Sequence, residues 1–348
     1  MRKRRLPLIP VAVVAAGAAA LWIRKVVLPG RPDEVDTGRP RRIPDPDSRP
    51  APDGAGLRLV VNPGSGPLWR GDPLDELRAE LPAAEIHELG EDDDLAAILR
   101  DGLPDGIRAI GAAGGDGTLS AASTVAMDHD LVLVAVPSGT FNHLARDLGL
   151  DGPDDAVAAV RAGTAIRMDV GCVTPADGGE PRTFVNTLSF GGYTKVVDAR
   201  EQLQGRGLSK FVALAVALAR ELPGMEPLHL EIDGEPATVW LGWIGNGAYA
   251  PAGFAPSWRE RLDDGLLDVR LVLGDQRFAR TRLVAEVLAG RLRASPVYRE
   301  ERVGDVTITS TTGPMRLAVD GETFDGAASF TVTKRRRALA VAVPPQPA

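Results

Sequence analysis

Three short polar segments, each glycine-bearing and each placed directly behind an apolar run, constrain this chain more than any other feature. Asn62-Pro63-Gly64-Ser65-Gly66 follows Leu57–Val61, Gly114-Gly115-Asp116-Gly117-Thr118 follows Ile107–Ile110, and Pro137-Ser138-Gly139-Thr140-Phe141-Asn142-His143 follows Leu131–Val136. Helix-like stretches fall at Pro73–Glu80, Asp94–Arg100, Leu119–Met127, Asn142–Asp147 and Asp154–Arg161, with a further strand candidate at Glu85–Leu89. Short apolar strands alternating with helices predict a parallel sheet with crossover helices. Ligands of such sheets bind outside the carboxyl ends of the strands, so the three loops are expected to share one crevice.

Each loop carries its own chemistry. A glycine-rich strand-to-helix turn exposes backbone N–H groups that can cradle phosphate, although Asn62–Gly66 matches neither common nucleotide fingerprint and a plain turn stays open there. The paired glycines at 114 and 115 let an anionic ligand approach the backbone without a Cβ in the way. Asp116 has no attraction for bare phosphate; its expected task is to orient a metal-bound water or a ribose hydroxyl. Thr118 reads equally as a helix cap.

The pattern changes near residue 165. Arg167–Val173, Arg182–Phe190, Leu228–Ile232, Thr238–Gly245, Leu267–Leu273, Val306–Thr309 and Met315–Val319 read as strands, many joined by Gly/Asp turns. Helices are expected near Ser209–Glu221 and Gln276–Ala289, and the last strands, Ala328–Thr333 and Ala338–Val343, could pair in either half. The fold class expected from the pattern is a parallel α/β domain over 57–164 followed by a mainly antiparallel β domain over 165–330. Residues 331–348 form a tail able to return to the first domain.

Ahead of this body, Met1–Arg5 is basic and Leu6–Ile23 is 18 residues without a charge. As a helix that run spans about 27 Å, just short of a hydrocarbon core of about 30 Å. A membrane anchor, a signal-like segment and an interfacial segment all fit residues 1–28; residues 29–56, rich in Pro, Arg, Asp and Gly, read as a linker. Residues 1–42 hold a net charge of +7, leaving −14 for the rest of a chain whose total is −7. An acidic body is a poor partner for nucleic acid, and a basic leader points to an anionic membrane surface. A single cysteine, Cys172, excludes a disulfide framework, and the four histidines show no metal-ligand spacing.

The three loops resemble the NPxSG, GGDGT and PxGTxND blocks of the diacylglycerol kinase catalytic domain family, which includes bacterial lipid kinases and sphingosine kinases. The resemblance runs from about Leu57 to Val343 and departs at His143, where the best-studied members carry Asp. It implies an α/β nucleotide-binding domain over 57–164 followed by a mainly antiparallel β-sandwich over 165–330, with ATP held by Asn62, Pro63, Gly64, Ser65 and Gly66, by Gly114, Gly115, Asp116, Gly117, Thr118, Leu119 and Ser120, and by Thr140 and Asn142. Arg261-Leu262-Asp263-Asp264-Gly265-Leu266 resembles the family's magnesium turn. It implies Mg²⁺ bound by the Asp264 side chain and the Arg261 and Leu266 carbonyls, hard donors that suit this ion. Asp-Gly-Glu occurs at 233–235 and again at 320–322. The family's general base lies in the later block, which implies Glu322 as base with Asp320 supporting it, while Glu235 is a solvated hairpin residue.

The activity implied is ATP- and Mg²⁺-dependent phosphorylation of a lipid hydroxyl, with diacylglycerol, giving phosphatidic acid, the leading acceptor. Because ATP is cytosolic, the body is expected on the cytoplasmic face of the membrane. Two alternatives are a soluble kinase of the NAD kinase type, which shares Gly114–Thr118, and a catalytically silent, membrane-tethered lipid-binding protein. Edge strands in the second half leave room for a homodimer.

Overall fold

The computed structural model describes residues 48–345, apart from residues 64–72, 104–105, 139–141 and 251–257 and most of 193–223 and 276–291. The first half alternates β1 (Leu57–Val61), α1 (Pro73–Glu80), β2 (Glu85–Glu88), α2 (Leu95–Arg100), β3 (Ala109–Gly114), α3 (Asp116–Asp128), β4 (Val132–Pro137), α4 (His143–Asp147) and α5 (Pro153–Ala162). All five residues of β1 are buried, as expected for a strand covered on both faces. Asp94 sets the start of α2, its Oδ1 accepting from the Ala96 and Ala97 amides at 2.9 and 3.2 Å. The strands run parallel in the order β2-β1-β3-β4. Val61 pairs with Ala113 and Gly114 with Pro137, so Asn62, Gly115 and Ser138 emerge side by side at the carboxyl edge.

The second half is antiparallel. It comprises β5 (Ala165–Pro175), β6 (Arg182–Phe184), β7 (Thr187–Gly191), β8 (Leu228–Ile232), β9 (Glu235–Asn246), the short pair β10 (Tyr249–Ala250) and β11 (Trp258–Arg259), β12 (Leu267–Leu273), β13 (Tyr298–Val303), β14 (Val306–Ser310), β15 (Met315–Val319), β16 (Glu322–Gly326) and β17 (Ser329–Ala342). One apolar cluster lies around β1, β3, β4 and their helices. A second, including Phe184, Phe190, Ile244, Leu317 and Phe330, fills the sandwich.

Two expectations about strands are corrected. Arg182–Phe190 is two strands, because the Val185 and Asn186 amides leave the ladder to bond the Asp320 carboxylate. The two terminal strands are one, β17, with a register shift between Arg335 and Leu339 where it runs against β5. β17 pairs with β14 at its start and with β4, in parallel, at its end, joining the two halves into one hydrogen-bonded network. The helices expected near 209–221 and 276–289 lie largely outside the described residues, as does the leader. Among the described residues no helix is long and apolar enough to cross a membrane.

A buried ion pair fastens the halves together. Arg259 Nε meets Asp147 Oδ2 at 2.6 Å with neither side chain more than 2% exposed. The same guanidinium donates to the carbonyls of Val185 and Asn246 at 2.7 and 2.9 Å and to Asn186 Oδ1 at 3.3 Å. Removing one member leaves the other charged, buried and unmatched. Arg259→Met is therefore expected to destabilise the protein by about 3–5 kcal/mol, read as a lowered urea midpoint; a midpoint near wild type would show the pair to be dispensable.

Candidate active site

The site begins at the first turn of α3. Gly115 stands at the cap position with no side chain to offer, so the positive end of a 13-residue helix carries no side-chain cap. Gly114 is required by a close approach: a Cβ there would stand 2.5 Å from Thr118 Cβ. Leu119 is wholly buried and can present only backbone to the crevice. Asn62 adjoins this turn, its amide bonded to the Ala113 carbonyl at 2.9 Å. Gly64, Ser65, Gly66 and Thr140 lie outside the described residues.

Asp116 joins the second loop to the third. Its Oδ1 accepts from the His143 amide at 2.8 Å, and Asn142, buried and at φ 47, turns the chain so that this amide faces the carboxylate. The contact is made through backbone, so the replacement of the family Asp by His143 leaves it intact. Burial holds the Asp116 carboxyl above its ordinary range, and the nearby charge of Asp320 adds to the effect.

Asp320 sits in the turn between β15 and β16 with its carboxylate fully engaged. Oδ1 accepts from the amides of Asn186 and Thr187, both at 2.8 Å; Oδ2 accepts from the Val185 amide at 2.9 Å and the Ser120 hydroxyl at 2.7 Å. Burial raises its pKa, against the pull of these four donors. Such a group anchors rather than moves a proton, and Ser120 is thereby tied to the hairpin. Glu322, two residues on, is exposed; its Oε1 lies 3.5 Å from where a Cβ on Gly117 would stand. A free carboxylate is thus held over the open turn of α3. Glu235 stands elsewhere, exposed at the start of β9 in the β8–β9 hairpin.

The predicted cation turn lies between β11 and β12. Asp264 Oδ1 accepts from the Leu266 amide at 2.9 Å and Oδ2 from the Ala248 amide at 2.8 Å. Gly247, at φ 105, leaves room beside the turn: a Cβ there would lie 3.4 Å from the Arg261 carbonyl oxygen and 3.6 Å from Asp264 Oδ2. Asp264 Oδ2 and the Arg261 carbonyl border this space together with Arg259 Cδ, at 3.5 Å from the same point, and the two oxygens are of the hard donor type that a small divalent cation takes. Asp263, the neighbouring acid, instead accepts from the Arg261 guanidinium at 3.1 Å.

Behind the turn is a polar core that sequence reasoning missed. Asp169, fully buried, accepts from the amides of Gly265 and Arg337, both at 2.8 Å. Lys334 Nζ lies 3.8 Å from Asp169 and donates to Asn246 Oδ1, whose Nδ2 donates to the carbonyls of Asp169 and Val185. Asp169 and Lys334 carry no local signal, since a charged residue in a strand ordinarily faces solvent.

A two-part kinase fold with its polar loops on one crevice is what these elements define. The diacylglycerol kinase catalytic domain family matches residues 56–173, and the YegS C-terminal NAD kinase beta sandwich-like domain matches residues 190–343. The first half of the chain is thus similar to the diacylglycerol kinase catalytic domain and the second to the sandwich domain of the YegS type. It is 29% identical over 259 residues to a probable lipid kinase YegS-like protein of Stenotrophomonas maltophilia, covering 68% of this chain and 82% of that one. It is 28% identical over 210 residues to the probable lipid kinase YegS of Escherichia coli, covering 58% of this chain and 68% of that one. In fold it is similar to the crystal structure of a diacylglycerol kinase from Bacillus anthracis, with a TM-score of 0.57 at 18% identity over 83% of this chain and 97% of that one.

Burial lowers Lys334 to about 8, partly countered by the charges of Asp169 and Asp264. The folded protein therefore gives up this proton near pH 8, whereas an unfolded lysine keeps it to about 10.5. Unfolding takes up a proton between those values, so stability rises as the pH is raised through that window, by up to about 3 kcal/mol. Urea midpoints measured from pH 7.5 to 10.5 are expected to climb, and to climb less in Lys334→Met; parallel curves would contradict the assignment.

Proposed function

We propose that this protein is an ATP- and Mg²⁺-dependent lipid kinase that phosphorylates diacylglycerol to phosphatidic acid at the cytoplasmic face of a membrane. The observation that carries the reading is the position of Glu322, an exposed carboxylate over Gly117 at the uncapped turn of α3. The names borne by the relatives support the lipid as acceptor. The basic, uncharged-cored leader supports a membrane location, since a tethered body meets a bilayer substrate without repeated association.

The proposed chemistry follows from the roles the residues can play. The first-turn amides of α3, with Asn62 and the glycines at 114, 115 and 117, receive the nucleotide phosphates. Glu322 takes the proton from the acceptor hydroxyl as that oxygen attacks the γ-phosphoryl group in line, the bond to the β–γ bridging oxygen breaks and ADP leaves. Asp320, locked by three amides and the Ser120 hydroxyl, fixes the hairpin that carries Glu322. Asp116, protonated more readily than an ordinary aspartate, ties the third loop to the second and orients groups around the phosphates. Asp264 with the Arg261 and Leu266 carbonyls would hold Mg²⁺, which supplies positive charge to organise the junction between the halves.

Transfer of labelled γ-phosphate from ATP to a total membrane lipid extract tests this reading. The wild-type chain is expected to label a lipid that comigrates with phosphatidic acid. Glu322→Gln is expected to lower the rate by a factor on the order of 10²–10⁴, while Glu235→Gln stays near wild type. Retained transfer in Glu322→Gln, or loss in Glu235→Gln alone, would sink the assignment of the base.

A further inference from the structure

Among the described residues two large apolar side chains stand exposed, Val216 at 40% and Phe278 at 79%. They lie on the two long segments, residues 192–227 and 274–297, that connect strands of the sandwich. Both segments leave and re-enter the sheet at the same end. β7 ends at Gly191 opposite Leu241, β8 starts at Leu228 opposite Val239, β12 ends at Leu273 opposite that same Val239, and β13 starts at Tyr298 opposite Val272. The other end of these strands carries Thr187, Asn246 and Leu267, next to Asp320 and the cation turn.

Phe278 is not exposed by a frayed terminus. Its backbone sits at φ 59, and its carbonyl accepts from the Arg282 amide at 2.9 Å while its neighbour Ala279 is buried. An aromatic ring held outward in this way keeps apolar surface in water that burial against a partner would recover. The charge around it is equally uneven. Residues 274–297 contain five arginines against Asp275 and Glu286, within a chain of net charge −7. Arg282 and Arg293 are exposed, the latter only loosely paired with Glu300 at 3.9 Å.

We propose that this end of the sandwich docks on an anionic lipid bilayer, with Phe278 entering the headgroup region and Arg282 and Arg293 meeting lipid phosphates. The choice of a bilayer as partner rests on the lipid kinase reading above. Charge complementarity favours it: the chain as a whole is acidic, whereas residues 274–297 carry more arginines than acids and Arg282 and Arg293 are exposed there. The geometry also suits the reaction. Glu322 pairs with Val319, which pairs with Leu188, three residues or about 10 Å along β7 from Gly191. A lipid hydroxyl has to rise at least that far from the docked end to reach the base.

A single polarity-sensitive fluorophore tests the docking, because the one native cysteine, Cys172, is buried. Full-length Phe278→Cys carrying the label would be titrated with phosphatidylcholine vesicles with and without phosphatidylglycerol. Expected are a blue shift and quenching by spin-labelled lipid on the anionic vesicles, and neither with the label at exposed Ala83→Cys in the first half. Adding Arg282→Gln and Arg293→Gln should raise the anionic lipid needed for half the blue shift by about tenfold. A label that stays in water while the protein cosediments with vesicles overturns the proposal, since the leader alone would then hold the protein. So does a Phe278→Ser variant whose only effect is on self-association. Transfer to lipid in neutral detergent micelles, measured in parallel, separates the two readings. Insertion without transfer upholds docking and fails the kinase, and transfer without insertion does the reverse.

Discussion

A carboxylate taken out of water must be met by donors, and the need to satisfy Asp320 organises much of this site. Four donors converge on it from two places distant in sequence: the amides of Val185, Asn186 and Thr187, and the hydroxyl of Ser120 on α3. The same three-residue segment faces the other way toward Arg259, which takes the Val185 carbonyl and the Asn186 side chain. Amides of the segment thus serve an anion and its acceptors serve a cation. Disturbing either partner is felt by the other, and Glu322 follows both, because Asp320 lies in the turn of its hairpin.

The junction between the halves is polar where most domain cores are apolar. Asp169, Lys334, Asn246, Arg259 and Asp147 are buried there and linked by side-chain and backbone hydrogen bonds. A network of this kind gives less net stability than apolar packing of equal volume, but it tolerates one arrangement far better than any other. That suits a crevice in which a carboxylate from one half stands over a helix terminus of the other. The irregular stretch of β17 follows from the same need: Arg337 breaks step with β5 and gives its amide to Asp169.

The parallel half was legible in outline because its signals are local. Continuous apolar runs such as Leu57–Val61 are buried on both faces, and Asp94 and Pro153 mark helix starts by their own chemistry. Two sandwich strands were not legible. β13 is Tyr-Arg-Glu-Glu-Arg-Val at a sheet edge, largely exposed and largely charged, and β16 is short and half-exposed. Edge strands need only one face and one ladder, so the alternation that reveals a strand is weak in them. The break at Val185-Asn186 was illegible for another reason: those residues are apolar and polar in a sequence order any strand could have, and only the Asp320 carboxylate pulls their amides away.

The repeated Asp-Gly-Glu shows where sequence stops and tertiary structure begins. Both copies close a two-residue hairpin, with Asp233 and Gly234 at φ 51 and 84 and Asp320 and Gly321 at φ 48 and 98. Short-range sterics determine that much, since a turn with two positive φ values favours Asp followed by Gly wherever it occurs. Locally, then, the two glutamates are equivalent. What separates them is which strands the hairpins join. β8 and β9 carry Glu235 away from the crevice, whereas β15 pairs with β7 and brings Asp320 under the Val185–Thr187 amides and Glu322 over Gly117. Local sequence determined the turn; what brings Glu322 rather than Glu235 over Gly117 are contacts made 200 residues apart along the chain, because a side chain's neighbours are set by which strands pair.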